Sequence, residues 1–266
     1  MINYQTIWQD QLPRYFFLFR LCLEQSQSSE EGVEVISKYL EAHGPNETKY
    51  QASYIICDCE KVWLLNTAGK LWAAQLLPNG LSKISPGLSV KTIDKCSGSN
   101  KDELGDFWPS EGSNFSTEVI SSTFSISELF SVLRDKKNNA FHDQENVQPT
   151  QNSHVSSLSQ NRLNCHWFTA TPDPSISVFK PFIFTPECCC FTLNSLQETS
   201  MMAHTCMAFY KLHSVGATDR AIELLKDIEA CCVGEVQLYL ETDSNVNPEL
   251  DELMKDCVEA EVKFYR

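Results

Sequence analysis

Apolar positions near the start of the chain recur at helical spacing. Leu18, Leu21 and Cys22 predict a first helix. The next helix is better marked. Ser28 and Glu31 stand three apart, the relation in which each side chain of a capping box satisfies a backbone N–H that the helix leaves unpaired. Val33, Ile36 and Leu40 then share one face, and Gly44-Pro45 predicts the stop. From Ala52 the pattern becomes that of strands. Ala52 to Cys57 and Val62 to Thr67 are predicted strands joined by Asp58-Cys59-Glu60-Lys61. Ala68-Gly69-Lys70 then turns the chain into Leu71 to Leu76. Connections this short favour antiparallel neighbours. The mixture of apolar and small residues predicts a sheet covered on both faces.

The pattern is weaker after that. Residues 92 to 124 are rich in Ser, Gly, Asn and acids and read as a loop or insertion. Ser125 and Glu128 repeat the capping-box spacing, and Ile126, Leu129, Phe130 and Leu133 predict an amphipathic helix ending near Lys136-Lys137. Residues 137 to 164 are polar and are expected to be mobile. The last strand material is Trp167 to Thr169 and Val178 to Phe184. Thr218 is a predicted cap for a helix over Asp219 to Cys232, with Ile222, Leu225 and Ile228 inward and Gly234 near its stop. Asn247 and Pro248 open a last helix lined by Leu250, Leu253, Met254 and Cys257.

Composition narrows the functional classes. Of the 266 residues, 42% are hydrophobic, enough for a sizeable core. The net charge of −14 argues against a nucleic-acid partner or an anionic membrane surface. No signal peptide is recognised, since Arg20 interrupts the apolar segment Tyr15 to Leu23 and no small-residue cleavage site follows. No apolar run reaches the ~18 residues of a membrane span. The chain is therefore read as cytoplasmic, and its 12 cysteines as mainly reduced. Cys57-Asp58-Cys59, Cys188-Cys189-Cys190 and Cys231-Cys232 lack the C-x2-C spacing of a zinc site, so no metal is expected. Buried thiols acting as small hydrophobes are the simpler reading. The serine-hydrolase, zincin, P-loop and dinucleotide-binding motifs are all absent from the sequence.

Five blocks carry a family resemblance. The first is His166-Trp167-Phe168-Thr169-Ala170-Thr171-Pro172-Asp173-Pro174 with Val178-Phe179-Lys180-Pro181-Phe182-Ile183-Phe184. The second, Val62 to Gln75, is similar to the pattern A-W-V-L-E-T-x-G-K-Y-W-A-A-E. The third is Leu133-Arg134-Asp135-Lys136, the fourth the helix from Glu30 to Gly44, and the fifth Cys257 to Arg266. Taken along the chain they occur in the order of the secernin family and cover nearly the whole sequence, so the chain resembles that family, relatives of the cysteine-type dipeptidases that use an N-terminal nucleophile.

The resemblance implies a fold of two stacked antiparallel sheets between helical layers. It also implies a chemistry. A processed N-terminal Cys attacks an amide carbonyl with its own α-amino group as general base, and water hydrolyses the thioester. The family's opening Cys-led strand has no counterpart here, and the earliest cysteine, Cys22, falls inside a predicted helix. Pro86 stands where the family pattern has an Asn able to stabilise an oxyanion, and proline offers no donor. Asn66 stands where the family has Glu.

Trp63 and Trp72 read first as core aromatics, with a dipeptide pocket as the sharper alternative. His166 reads as a structural histidine or as a residue that orients substrate or water, and Asp173 as part of a rigid Pro-fixed turn or as a binding residue. The candidate pocket is therefore Asn66, Trp72, Pro86, His166 and Asp173, with no catalytic residue assigned and no cofactor expected. The expected fold is α+β, a truncated N-terminal-nucleophile-hydrolase-like αββα sandwich over residues 1–190 and a C-terminal helical region over 191–266. The expected function is that of a secernin-like dipeptidase-family member, inactive as this chain stands. The alternative is a non-catalytic interaction protein in regulated secretion. Expected partners are a dipeptide for the full-length form and another protein, with no nucleic acid and no transmembrane segment.

Overall fold

The computed structural model describes residues 12–47, 51–79, 81–83, 90, 92–98, 116–118, 124–135, 152–169, 171, 173–184, 219–241, 250, 252–254, 256–257 and 260–261. The chain is α+β, with antiparallel sheets, and divides into two units, Met1–Ser122 and Thr123–Arg266. No described helix is long and apolar enough to cross a membrane. Pro86, Pro172, Cys188 to Cys190, Thr218, Asn247 and Pro248 lie outside the described residues.

In the first unit, α1 (Leu12–Gln25) and α2 (Ser29–His43) cover one face of a sheet. The Ser28 Oγ accepts the Glu31 N–H at 3.2 Å, while the Glu31 carboxylate accepts the N–H of Gln27 rather than that of the cap residue. Asp58, in the turn between the first two strands, accepts both the N–H and the hydroxyl of Ser29, and so ties the start of α2 to the sheet. At Gly32 an added Cβ would lie 2.9 Å from both Cys22 Sγ and Ile56 Cγ2, so glycine permits the close approach of α2 to α1 and the sheet.

Strands β1 (Gln51–Cys57), β2 (Val62–Ala68) and β3 (Leu71–Leu76) form the antiparallel meander expected from the sequence. Gly69 turns β2 into β3 with φ 64°, and a Cβ there would meet the Pro45 carbonyl oxygen at 2.7 Å. Side chains alternate across the sheet. Ala52, Tyr54, Ile56, Trp63, Leu65, Trp72 and Ala74 pack with Leu18, Cys22, Val33, Ile36 and Leu40 of the two helices. Leu64, Ala68 and Ala73 pack on the other face with Val90. Both faces are covered, as expected, and each fully buried Leu or Ile contributes about 1.5–3 kcal/mol.

The region read as an irregular loop over 92 to 124 contains two short strands. β5 (Lys95–Cys96) extends the meander beside β3, and β6 (Ser116–Glu118) pairs with β4 (Leu81–Lys83). Segments of two or three residues are too short to show a hydrophobic period, so they leave no periodic signal.

In the second unit, β7 (His154–Ser157), β8 (Cys165–Phe168) and β9 (Lys180–Ile183) form an antiparallel sheet. β7 lies within residues 137–164, where mobility was expected. Pro181 is accommodated because β9 pairs only with β8 among the described strands, so the missing N–H costs no ladder bond. The helices are α3 (Ile126–Leu133) and α4 (Asp219–Glu241), with further helical residues between 250 and 261. Ser125 and Glu128 make the full reciprocal capping box at the start of α3. α4 does not stop near Gly234. Val236 beyond it is buried in the core, and that burial offsets the ~1 kcal/mol by which Gly falls short of Ala in a helix.

One face of this sheet, Val155, Cys165, Trp167 and Ile183, packs with Phe179, with Phe130 of α3, with Cys232, Val233 and Val236 of α4, and with Leu250, Met254 and Cys257. Phe130 stacks on Phe179 at 4.1 Å and meets Trp167 edge-on at 5.4 Å.

Candidate functional site

Strand register decides what the first two candidates can do together. Asn66 pairs with Ala73, while Trp72 pairs with Thr67. Residues directly opposite share a face, so Asn66 and Trp72 point to opposite sides of the sheet. The Asn66 Nδ2 donates to Ser53 Oγ at 2.6 Å, and its Oδ1 accepts the Val90 N–H at 2.9 Å. Its side chain is fully buried. Trp72 sits in the helix-facing core and donates its Nε1–H to Glu41 at 2.7 Å. Both residues serve the architecture of the first unit.

His166 lies on β8 in the second unit, and it has company that the sequence reading missed. The Ser156 Oγ is 2.8 Å from His166 Nδ1 and 2.8 Å from His154 Nε2. A hydroxyl has one hydrogen, so it can donate to one ring while accepting from the N–H of the other. His154 stacks on Phe168 at 4.0 Å. Burial, together with the neighbouring His166, pushes His154 from 6.5 down to about 3, and burial lowers His166 as well. The pair is thus uncharged at neutral pH, a Ser-bridged couple of imidazoles that can pass hydrogen bonds but holds no positive charge.

The sign of the resulting pH dependence follows. The folded-state value of His154 lies below the unfolded one, so the unfolded chain binds the extra proton. Stability is fully present above about pH 6.5 and is lost as pH falls toward 3. We expect this one group to contribute a slope of up to about 1.4 kcal/mol per pH unit between those limits. His154→Phe should flatten the urea-unfolding free energy between pH 6 and 4 relative to the natural chain. Equal pH slopes in the two proteins would contradict this assignment.

Asp173 is occupied by a turn. It caps the single-turn 3-10 helix Pro174–Ile176, its Oδ1 accepting the N–H and the hydroxyl of Ser175 at 2.8 and 2.6 Å. Two ion pairs pin the described residues of the turn between Thr169 and Lys180. Arg134 makes a bidentate pair with Glu229 of α4, at 2.8 and 2.7 Å. The same guanidinium donates to the carbonyls of Pro174 at 2.8 Å and Ser177 at 3.0 Å, and lies 5.1 Å from the Phe179 ring centre. Glu229 also accepts the Phe179 N–H at 2.7 Å. Lys180 is buried and donates to the carbonyls of Thr169 and Val178 and to the carboxylate of Glu261, whose other oxygen accepts the Ser177 hydroxyl at 3.0 Å.

The structure thus gathers Asp173 and its supports in the second unit, near residues drawn from three of the sequence blocks. Arg134 and Glu261 belong to blocks of the resemblance that assign them no role, whereas Glu229 looks in the sequence like an ordinary acidic residue of an amphipathic helix. Two of the buried thiols are poorly suited to attack an amide. Cys22 is buried within α1 and raised chiefly by that burial, and burial likewise raises Cys165 to about 12. Among the described residues no group of three His, Cys, Asp or Glu is placed to hold a metal ion. No family model matches the chain, and no solved structure matches it.

Proposed function

We propose that the chain is a secernin-like relative of the cysteine-type dipeptidases which, as the 266-residue chain, does not itself turn over dipeptides. The supporting observation is the use to which the blocks of the resemblance are put. Val62 to Gln75 supplies β2, its turn and most of β3, with Asn66 and Trp72 on opposite faces. The Leu133-Arg134 block, the His166 to Phe184 blocks and the C-terminal block meet at the pinned turn through Arg134, Ser177, Lys180 and Glu261. These side chains are spent on holding backbone. The buried Cys22 and Cys165 are held above the ordinary thiol range, away from the thiolate that amide attack requires. A non-catalytic role, with the interaction function in regulated secretion that the resemblance implies, fits this arrangement.

The experiment is direct. The purified chain, incubated with a panel of unblocked dipeptides, should release no amino acid above the rate of a heat-treated control. Turnover that a single Cys→Ala change abolishes would overturn the reading and identify the nucleophile.

A further inference from the structure

Two buried thiols in the second unit stand apart from everything above. Cys232 lies on α4, and Cys257 is helical in the segment between 250 and 261. They are 5% and 3% exposed, and their sulfurs are 2.7 Å apart. Only a short closure separates that distance from a disulfide bond of about 2.05 Å. Around them lie Val233, Val236, Leu250 and Met254, so the site is apolar. Their positions along the helices also matter. Cys232 is three residues after Glu229, and Cys257 is four residues before Glu261. The first spacing puts Cys232 about one helical turn from a carboxylate that pins the turn, and the second places Cys257 close in sequence to the other.

We propose that Cys232 and Cys257 form a reversible disulfide, closed by a peroxide and opened by a small thiol, that latches together the two helical segments carrying Glu229 and Glu261. The inference is independent of any dipeptidase relationship. It differs from the expectation of thiols that remain reduced, because the geometry already supplies the partner that an isolated buried thiol lacks.

Either thiol can donate the hydrogen bond between the two sulfurs, and that bond favours the thiolate on the one that accepts it. The thiolate attacks one peroxide oxygen and the O–O bond breaks, leaving a sulfenic acid on that cysteine and a hydroxide that takes up the thiol's proton to become water. The second cysteine then attacks the sulfenic sulfur. The S–S bond forms, the S–O bond breaks, and the departing hydroxide carries off the second thiol's proton as a second water. Two thiols have lost two hydrogens and the peroxide has become two waters. Two equivalents of a small thiol reverse the oxidation by exchange.

The test uses the full chain, fully reduced and then exposed to a few equivalents of hydrogen peroxide. Both samples are denatured, alkylated, digested without reductant and weighed. The expected result is a crosslinked peptide pair joining Cys232 to Cys257, lighter by two hydrogens than its separate parts and lost on treatment with a dithiol. The oxidised protein should melt about 5 °C higher than the reduced one, as a crosslink between segments well apart in sequence implies. In Cys257→Ser and in Cys232→Ser no crosslinked pair should form, and the remaining thiol should stop at a sulfenic acid that a 1,3-diketone traps. If both thiols of the natural chain are still alkylated after peroxide, the latch does not exist.

Discussion

Arg134→Met is expected to destabilise the second unit by about 3–5 kcal/mol, the usual cost of removing one partner from a buried ion pair. The side chains of Arg134 and Glu229 are only 16% and 8% exposed, so the remaining carboxylate cannot turn to water. Two carbonyls, of Pro174 and Ser177, lose their donor at the same time, and Phe179 loses a cation from its face. Arg134→Lys should not rescue the loss, because one ammonium cannot reproduce the two parallel bonds to Glu229 and still reach both carbonyls. Removing both charges, as Arg134→Met with Glu229→Met, should cost clearly less than the sum of the single changes. Urea midpoints of the four proteins give the cycle, and strict additivity would contradict the pairing. Arg20 and Glu24 on α1 provide the contrast. That pair is exposed, 76% and 55% by side chain, and Arg20→Ala should leave the midpoint where it was.

Lys180→Met is expected to have an effect of the same size, about 3–5 kcal/mol. Lys180 and Glu261 are 3% and 0% exposed by side chain, so this is the more buried of the two pairs. The lysine's ammonium is met by two carbonyls and a carboxylate, which matches its three donors. Its removal strands a carboxylate in the core, with the Ser177 hydroxyl still bonded to it. Adding Glu261→Leu to Lys180→Met should recover much of the loss, since an apolar pair no longer carries the cost of burying a charge. If the single change is tolerated without a shift in the urea midpoint, Glu261 is not buried against Lys180 and the C-terminal block does not support the turn.

The elements that could be read from the chain are those whose signals are local. Ser28 and Ser125 start helices where a cap residue precedes an apolar stripe, and both do so through their own hydroxyls. The β1–β3 meander was legible because its turns are short and its strands are six or seven residues long. β7 was not, since His154-Val155-Ser156-Ser157 has one apolar residue and owes its order to pairing with β8. α4 outran its expected stop because a glycine lowers helix propensity without forbidding helix, and core contacts beyond Gly234 carry the segment on to Glu241.

The candidate site was less legible, for a related reason. Whether Asn66 and Trp72 share a face depends on the register that Gly69 and Lys70 set, and a register one residue different would have put them together. His166 was singled out by its aromatic setting, but Ser156 and His154 reach it only across a strand pair. Arg134 and Glu229 are 95 residues apart, so no spacing rule connects them. Glu261 meets Lys180 across 81 residues.

Hydrogen exchange at a single amide tests most directly whether these distant blocks converge on one rigid turn. The Phe179 N–H donates to Glu229, the carboxylate that Arg134 grips. If the turn is held as described, this amide should exchange only when the second unit unfolds, with an opening free energy equal to that from urea, and Arg134→Met should lower both together. An amide at Phe179 that exchanges as fast as a free loop, while the β8 amides stay protected, would contradict the account.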